Sequence, residues 1–201
     1  MRETPIYVVT SNPGKVQEIQ AILGAGTAYV VRSIVDLRPL PEIEEDGHTF
    51  EENALKKVMA LPIVDNAVFL ADDSGICVSA LDGRPGIYSA RYPGETSTEK
   101  CLNLLQELGA ATDRRAYFYC AIALRFSDGR SAVVSGRLDG TLAFSPRGDH
   151  GFGYDPIFIP EGETQTVAEL SAVSKNLLSH RHRALAQVLP FLAQLEEVPH
   201  V

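Results

Sequence analysis

Two adjacent carboxylates, Asp72 and Asp73, follow a short apolar run in the segment ADDSG at 71–75. Because neighbouring side chains of an extended chain point to opposite faces, we expect only one of them to face a given cleft. A carboxylate at a strand end can hold Mg²⁺ together with substrate phosphate oxygens, or can orient and deprotonate a water molecule. The acidic segment EIEED at 42–46 offers a second metal ligand. A polar turn with an Asx cap is the alternative interpretation of the aspartates.

The segment TSNPGK at 10–15 has the residue types of a phosphate cradle. Asn12 and Pro13 are typical of the first residues of a helix, whose free N–H groups and dipole attract anions. Lys15 adds a mobile point charge. The segment is not a Walker loop, because the glycine spacing and the Lys-Ser/Thr ending are missing. An ordinary capped helix with a solvated lysine remains the alternative.

Asn53 and Lys57 form a second candidate phosphate contact. They are four residues apart, and therefore lie on one face of a helix, opposite Leu55 and Met59. A lysine and an amide on that face could reach a triphosphate. The alternative is a solvated polar face on an amphipathic helix.

The segment GFGYDP at 151–156 alternates aromatic residues with glycines. Phe152 and Tyr154 suit stacking on a planar base, while Asp155 and main-chain groups such as that of Gly153 could hydrogen-bond its edge. A loop that plugs the core is the alternative.

Four potential hydrogen-bond donors stand at the expected start of the last helix, namely Lys175, Ser179, His180 and Arg181. An anion or a carbonyl oxygen would bind there. His182 is assigned to the surface. Taken together, the phosphate cations, the metal carboxylate, the base-stacking loop and these donors predict a nucleoside triphosphate site.

The helices and strands that position these residues are predicted from the hydrophobic periodicity and from the residues that start or end such elements. Strands are expected at 6–9, 28–34, 67–71, 116–126 and 131–138, and the segment 76–80 is expected to be extended. Helices are expected to start after Asn12 and after Thr49, to run across Leu102–Leu108, and to run from about Arg181 to Leu195. We expect the acidic pair to interrupt the sheet, 38–47 and 142–155 to be irregular, 127–129 to close a hairpin and Pro190 to kink the last helix. The sequence predicts one mixed α/β domain over 1–201.

Composition narrows the classes of partner. The chain has 201 residues, 45% hydrophobic and 22% charged, which excludes a disordered or coiled-coil protein. Its net charge of −8 excludes bulk nucleic-acid binding. Cys77, Cys101 and Cys120 lack a zinc or disulfide spacing and are expected as buried thiols. No apolar run approaches a membrane span, and no signal core follows Arg2, so a cytoplasmic protein is expected.

The chain resembles the inosine triphosphate pyrophosphatase family nearly from end to end. The resemblance rests on SNxxK at 11–15, FxENA at 50–54 with Lys57, ADDSG at 71–75, PGIYSARY at 85–92, GFGYDP at 151–156 and SHR at 179–181. It implies a mixed α/β fold with a long central sheet flanked by helices, two lobes around a deep cleft, and a homodimer. The implied activity is hydrolysis of non-canonical purine nucleoside triphosphates (ITP, dITP and XTP) to the monophosphate and pyrophosphate.

The resemblance also implies roles for individual residues. The phosphate contacts would be Thr10, Ser11, Asn12, Lys15 and Lys57, the substrate contact after the aspartates would be Ser74, and the purine contacts would be Phe152, Gly153, Tyr154, Asp155, Lys175, His180 and Arg181. Asp73 would be both general base and metal ligand. Glu45 would be the other Mg²⁺ ligand, and Glu42 and Glu44 are the alternatives if the motif is displaced by a few residues.

The expected reaction is attack on the α-phosphorus by a water activated by Mg²⁺ and Asp73, with Lys15 and Lys57 neutralising the pyrophosphate that leaves. Cleavage between the α and β phosphates comes from the resemblance, since the spacing alone suits loss of the γ-phosphate equally. Donors from Arg181 would pair with the 6-oxo group of hypoxanthine and oppose the 6-amino group of adenine.

Three other functions remain open at this stage. A house-cleaning pyrophosphatase for other modified nucleotides would share the phosphate residues but need a different base loop. A non-catalytic nucleotide-binding regulator would dispense with Asp73. A phosphatase that forms a phospho-aspartate is disfavoured because its Asp-x-Asp spacing is absent.

Overall fold

The computed structural model describes residues 4–24, 29–37, 41 and 43–196. The strands are β1 (Thr4–Val9), β2 (Tyr29–Ser33), β3 (Val68–Val78), β4 (Arg115–Phe126), β5 (Ser131–Leu142) and β6 (Phe158–Pro160). The α-helices are α1 (Pro13–Leu23), α2 (Phe50–Met59), α3 (Ser97–Leu108), α4 (Ala172–Leu178) and α5 (His180–Glu196). Short 3₁₀ turns occupy Ile34–Leu37, Ser79–Leu81, Gly86–Arg91, Asp155–Ile157 and Val167–Glu169.

The strands form one mixed six-stranded sheet in the order β2-β1-β3-β4-β5-β6. β1 runs parallel to both neighbours, whereas β5 and β6 are antiparallel. The predicted mixed α/β fold with helices around a central sheet is therefore confirmed. The parallel register pairs Val9 with Ala71, so the chain leaves β1 beside Asp72.

The chain divides into two compact units. The first unit comprises Met1–Asp73, Cys120–Gly136 and Arg181–Val201, and the second comprises Ser74–Tyr119 and Arg137–His180. The prediction of a single domain with two lobes around a cleft stays a prediction.

The core of the first unit packs α1 and α5 against the strands. It is built from Ile6, Val8, Ile19, Leu23, Val68, Leu70, Cys120, Ile122, Leu124, Phe126, Ala184, Leu185, Val188 and Leu192. On α5 the buried residues recur at helical spacing, which fixes the face turned to the sheet. α5 continues through the exposed Pro190, and the kink expected there stays a prediction.

The core of the second unit gathers around α3 and the strands near it. Its buried members include Ile76, Val78, Cys101, Leu104, Leu108, Phe118, Leu138, Ile157 and Phe158. The helix expected across Leu102–Leu108 is confirmed as α3; on it Leu102 is 50% exposed, whereas Cys101, Leu104 and Leu108 are buried. The capping box formed by Thr96 and Glu99 starts this helix and Gly109 ends it.

One expectation about the sheet was wrong. β3 runs unbroken from Val68 to Val78, so Asp72 and Asp73 lie in the middle of a strand and do not interrupt it. Both aspartates are buried, and each is tolerated because charged and polar partners from other elements reach it. Neither β6 nor α4 was predicted.

Candidate active site

The predicted start of α1 is confirmed. Asn12 caps the helix: its Oδ1 accepts hydrogen bonds from the N–H groups of Gly14 at 2.9 Å and Lys15 at 3.3 Å. Thr10 Oγ1 in turn accepts from the N–H of Asn12 at 3.1 Å, and Ser11 is exposed. These local bonds fix the turn between β1 and α1 and aim the Lys15 side chain at the neighbouring strand β3.

Asp72 faces the interior of the first unit and is fully buried. Its Oδ1 contacts the Lys15 ammonium. Its Oδ2 accepts hydrogen bonds from Arg181 Nε at 2.9 Å and from the Cys120 thiol at 2.8 Å. Burial alone would raise the pKa of Asp72, but Arg181 and Lys15 outweigh burial and hold it well below its ordinary value. Asp72 is therefore a charged residue at neutral pH.

Asp73 has different partners, as the alternation of side chains along a strand requires. Its Oδ1 accepts from Lys57 Nζ at 2.8 Å, and its Oδ2 accepts from Asn53 Nδ2 at 3.3 Å. Lys57 Nζ also lies 3.0 Å from Glu45 Oε2 and 3.2 Å from the carbonyl oxygen of Asp72. One buried ammonium thus joins two carboxylates from separate segments of the first unit.

Asn53 ties the acidic segment to α2. Its Oδ1 accepts from the N–H of Gly47 at 2.8 Å while its amide nitrogen donates to Asp73. A Cβ at Gly47 would lie 2.6 Å from that Oδ1, so the close approach requires glycine. Asn53 and Lys57 were expected to share a helix face, and they do, but that face is buried; on the same helix Met59 is 49% exposed. The solvated-face alternative was therefore wrong.

The electrostatics of Asp73 suit a proton acceptor. Burial raises the pKa of Asp73 above its ordinary value, and the attraction of Lys57 only partly opposes this. For Lys57, burial would lower the pKa, but the carboxylates of Asp73 and Glu45 outweigh burial and raise it. Lys57 is thus held as a cation, and Asp73 is more basic than an exposed aspartate.

The donor set around Lys57 fits a magnesium ion. Mg²⁺ is bound through one or two carboxylates and completes its shell with water and phosphate oxygens. Glu45 and Asp73 supply two carboxylates that repel each other, since Glu45 contributes to the raised pKa of Asp73. Among the described residues no group of three or more His, Cys, Asp or Glu could hold a metal. Glu44 is exposed, and Glu42 lies outside the described residues.

A cavity of about 320 Å³ in the first unit opens beside these groups. Its polar side is lined by Thr10, Ser11, Glu45 and Lys57. Two elements predicted to contact phosphate, the 10–15 turn and α2, therefore face a common space.

In the second unit, Asp155 organises the glycine-rich loop. Its buried carboxylate accepts from the N–H of Phe152 at 2.8 Å and from Lys175 Nζ at 2.7 Å. Lys175 Nζ also lies 4.4 Å from the centroid of the Phe152 ring, a cation–π contact. Lys175 was expected at the start of the last helix, but it lies on the separate helix α4. The structure thus brings Lys175 of α4 together with the loop residues Phe152 and Asp155.

The other loop residues are held from further elements of the second unit. The N–H of Gly153 donates to Ser97 Oγ at 3.1 Å, and the hydroxyl of the buried Tyr154 donates to the carbonyl oxygen of Ser89 at 2.9 Å. The ring of His180 stacks on Phe118 at 4.9 Å. Tyr154 is therefore a core residue with a bonded hydroxyl, as the loop-plugging alternative describes, whereas Phe152 is half-buried.

The remaining predicted residues, Ser74, Arg181 and His182, differ in burial. Ser74 is half-buried on β3. Arg181 belongs to the first unit, where it is 1% exposed and pairs with Asp72 and Glu18. His182 is half-buried, not fully on the surface as expected.

Sequence reasoning missed three residues. Glu18 is a buried partner of Arg181, and only its position three residues after Lys15 hinted at a shared face. Cys120 was predicted as a buried thiol, which is confirmed, but its bond to Asp72 was not foreseen. Ser89, inside the PGIYSARY motif, accepts from the N–H of Ile76 at 2.9 Å and so braces β3.

Across the described part of the chain, no helix combines the length and the apolarity that crossing a membrane requires.

Comparisons with known proteins identify the family of this chain. The Ham1 family model matches residues 6–191. The dITP/XTP pyrophosphatase of Geobacter sulfurreducens is 48% identical over 187 residues, which cover 91% of this chain and 94% of that protein. The dITP/XTP pyrophosphatase of Bacillus subtilis is 43% identical, covering 92% and 95% of the two chains. The solved structure of the Staphylococcus aureus Ham1 protein matches with a TM-score of 0.83 at 41% identity, covering 94% and 98%. The resemblance drawn from the motifs is confirmed, and this chain belongs to the Ham1 family.

Proposed function

We propose that this chain hydrolyses dITP, ITP and XTP to the nucleoside monophosphate and pyrophosphate, and so removes non-canonical purines from the nucleotide pool. The observation that carries the proposal is the buried Asp73 carboxylate, bound by Lys57 and Asn53 and next to Glu45. It occurs in a chain whose relatives are named dITP/XTP pyrophosphatases.

In this reaction Asp73 acts as the general base. A carboxylate accepts a proton from water more readily as its pKa rises, and burial raises the pKa of Asp73. Asn53 and Lys57 restrict the rotation of the carboxylate, so the attacking water would meet an oriented base. The water attacks the α-phosphorus and pyrophosphate leaves.

The cations neutralise the leaving pyrophosphate. Lys57 lines the cavity of the first unit together with Thr10 and Ser11, and Lys15 stands at the first turn of α1. A lysine aimed at a transferring phosphoryl group stabilises the charge that develops there. Glu45 and Asp73 would hold a Mg²⁺ ion, and the ion, when bound, would supply Lewis-acid polarisation of the phosphate oxygens.

The base would be recognised by Phe152, Gly153, Tyr154, Asp155, Lys175, His180 and Arg181. Phe152 offers a half-buried aromatic face, and Lys175 is a cation held at its ring by Asp155. A 6-oxo group accepts hydrogen bonds, whereas a 6-amino group leaves such donors unpaired, which can cost several powers of ten in kcat/KM. Ser74 completes the proposed substrate contacts.

The deciding experiment measures pyrophosphate and phosphate release from dITP, ITP, XTP, dATP and GTP. We expect the wild-type protein to release pyrophosphate from the first three substrates, and Asp73→Asn to release almost none from them. Release of phosphate from ITP without an added pyrophosphatase would refute α–β cleavage. Preference for a modified pyrimidine, binding without turnover, or a trapped phospho-aspartate would each replace the proposal by one of the alternative functions.

Three further properties belong to the proposal. Activity should require Mg²⁺, so that EDTA abolishes it and added Mg²⁺ restores it. The protein should be a homodimer, which light scattering after size exclusion would measure as twice the mass of 21.8 kDa. We place it in the cytoplasm, in keeping with three cysteines that are all unpaired; fractionation of cells would test this.

A further inference from the structure

Asp72 is a buried charge for which the proposed reaction has no use. It precedes the general base by one residue and points to the other face of β3. Its carboxylate contacts Lys15, Arg181 and Cys120, all within the first unit. A buried carboxylate is costly unless cations compensate it, so the presence of Asp72 calls for an explanation.

The two cations differ in how firmly they are held. The Arg181 side chain is 2% exposed, and its planar guanidinium also pairs with Glu18. The Lys15 side chain is 15% exposed and ends in a single ammonium on a flexible stem. Lys15 is the third residue of α1 and follows Thr10 and Ser11, which line the cavity, by a few residues in the chain. Of these two cations, Lys15 is the one that can exchange its carboxylate for a phosphate oxygen.

We propose that Asp72 is a positioning residue that acts as an exchangeable counter-ion for Lys15. It holds the ammonium at the first turn of α1 before substrate arrives, yields it to the phosphates during the reaction, and takes it back as pyrophosphate leaves. This inference rests on the proposed function. Its physical core is competition: a lysine with a resident carboxylate binds an incoming anion less tightly than a lysine without one, and therefore releases the product sooner.

The test is Asp72→Asn, which removes the charge and keeps the shape. We expect the Kd for inorganic pyrophosphate, measured by calorimetry, to fall by about tenfold, the size of one charge-assisted hydrogen bond. For dITP we expect KM and kcat to fall together, because product leaves more slowly. If Asp72 only supported the local structure, its replacement would weaken the binding of pyrophosphate. Weaker pyrophosphate binding by a folded Asp72→Asn would therefore overturn the proposal.

A double-mutant cycle shows whether Asp72 acts through Lys15. In a Lys15→Met background, Asp72→Asn should no longer tighten pyrophosphate binding; an undiminished tenfold effect there would mean a general charge effect and refute the inference. Asp128→Asn is the matched control, since Asp128 is an exposed aspartate of the first unit paired with Arg130. It should leave the Kd unchanged.

Should Asp72→Asn fail to fold, a crystal structure of the wild-type protein with pyrophosphate decides the question. Lys15 Nζ on a phosphate oxygen and away from Asp72 supports the exchange, and Lys15 still on Asp72 overturns it. Because pyrophosphate binding needs no turnover, the failure of the two ideas can be told apart. If Asp72→Asn binds pyrophosphate more tightly but the wild-type protein does not hydrolyse dITP, the counter-ion role is supported and the proposed function is refuted.

Discussion

Replacing Lys57 by methionine removes the ammonium that joins Asp73 and Glu45. The Lys57 side chain is 10% exposed and that of Asp73 is 8% exposed, so their pair is buried, whereas Glu45 is 40% exposed and partly screened. Breaking a buried pair costs about 3–5 kcal/mol, while a screened pair adds little. We therefore expect Lys57→Met to lower the free energy of unfolding by about 3 kcal/mol, which lowers the Tm of a chain of this length by roughly 6–12 °C.

The same change should lower kcat/KM for dITP by about 10²–10³, the usual cost of losing one donor that faces developing charge. Thermal unfolding and steady-state pyrophosphate release measure the two effects. Lys56→Met is the matched control: its ammonium pairs with Asp46, and both side chains are exposed. It should change stability by less than about 1 kcal/mol and leave kcat/KM alone. If Lys56→Met and Lys57→Met behaved alike, the buried ion pair would have neither of the roles given to it.

Two other substitutions and one labelling experiment test separate parts of the molecule. Arg181→Ala should narrow the preference in kcat/KM for ITP over ATP and, because Asp72 and Glu18 then lose their buried cation, should also lower the stability of the protein. An unchanged kcat/KM ratio would contradict the assignment of Arg181 to base selection. Burial raises the pKa of Cys101 to about 12, so at pH 8 iodoacetamide should label it only after unfolding in urea; rapid labelling of the native protein, read by mass spectrometry, would show the thiol to be accessible. Arg125 Nη1 donates to the carbonyl oxygens of Val58, Met59 and Leu61 at the end of α2, so Arg125→Met should cost about 1–3 kcal/mol in urea unfolding and raise the KM for dITP. Arg130 is exposed, so Arg130→Met is the control. Equal effects of the two variants on stability and KM would show that Arg125 does not hold the end of α2.

Local signals predicted the elements that local interactions determine. Asn12 and Pro13 at the start of α1, Thr49 before α2 and the Ser127–Gly129 turn all act within a few residues, and each appears as expected. The helix α4 was not predicted although Ser171 caps it, because it has only seven residues and none of them is buried. β6 has three residues, which is too short for a period of two to be recognised.

The polar face of α2 shows why burial could not be inferred locally. Asn53 and Lys57 have the spacing of a solvated face, and periodicity alone assigns them to water. In the structure their partners are Asp73, Gly47 and Glu45, up to twenty residues away in sequence. The compensation that permits a buried lysine therefore comes from other segments, and a helix considered alone does not contain it.

The two aspartates of β3 extend the same reasoning to function. Alternation along the strand correctly predicted that they serve different faces, but two adjacent charges argued for a break in the sheet. The strand survives because Arg181, 109 residues later in the chain, reaches Asp72 while α2 reaches Asp73. One strand thereby carries a carboxylate that is compensated and kept charged beside a carboxylate that burial makes more basic. In the proposed reaction Asp73 must accept a proton and Asp72 must not. Two neighbouring carboxylates can differ in this way only if they have different surroundings, and the unbroken strand provides these because it turns the two side chains to opposite faces.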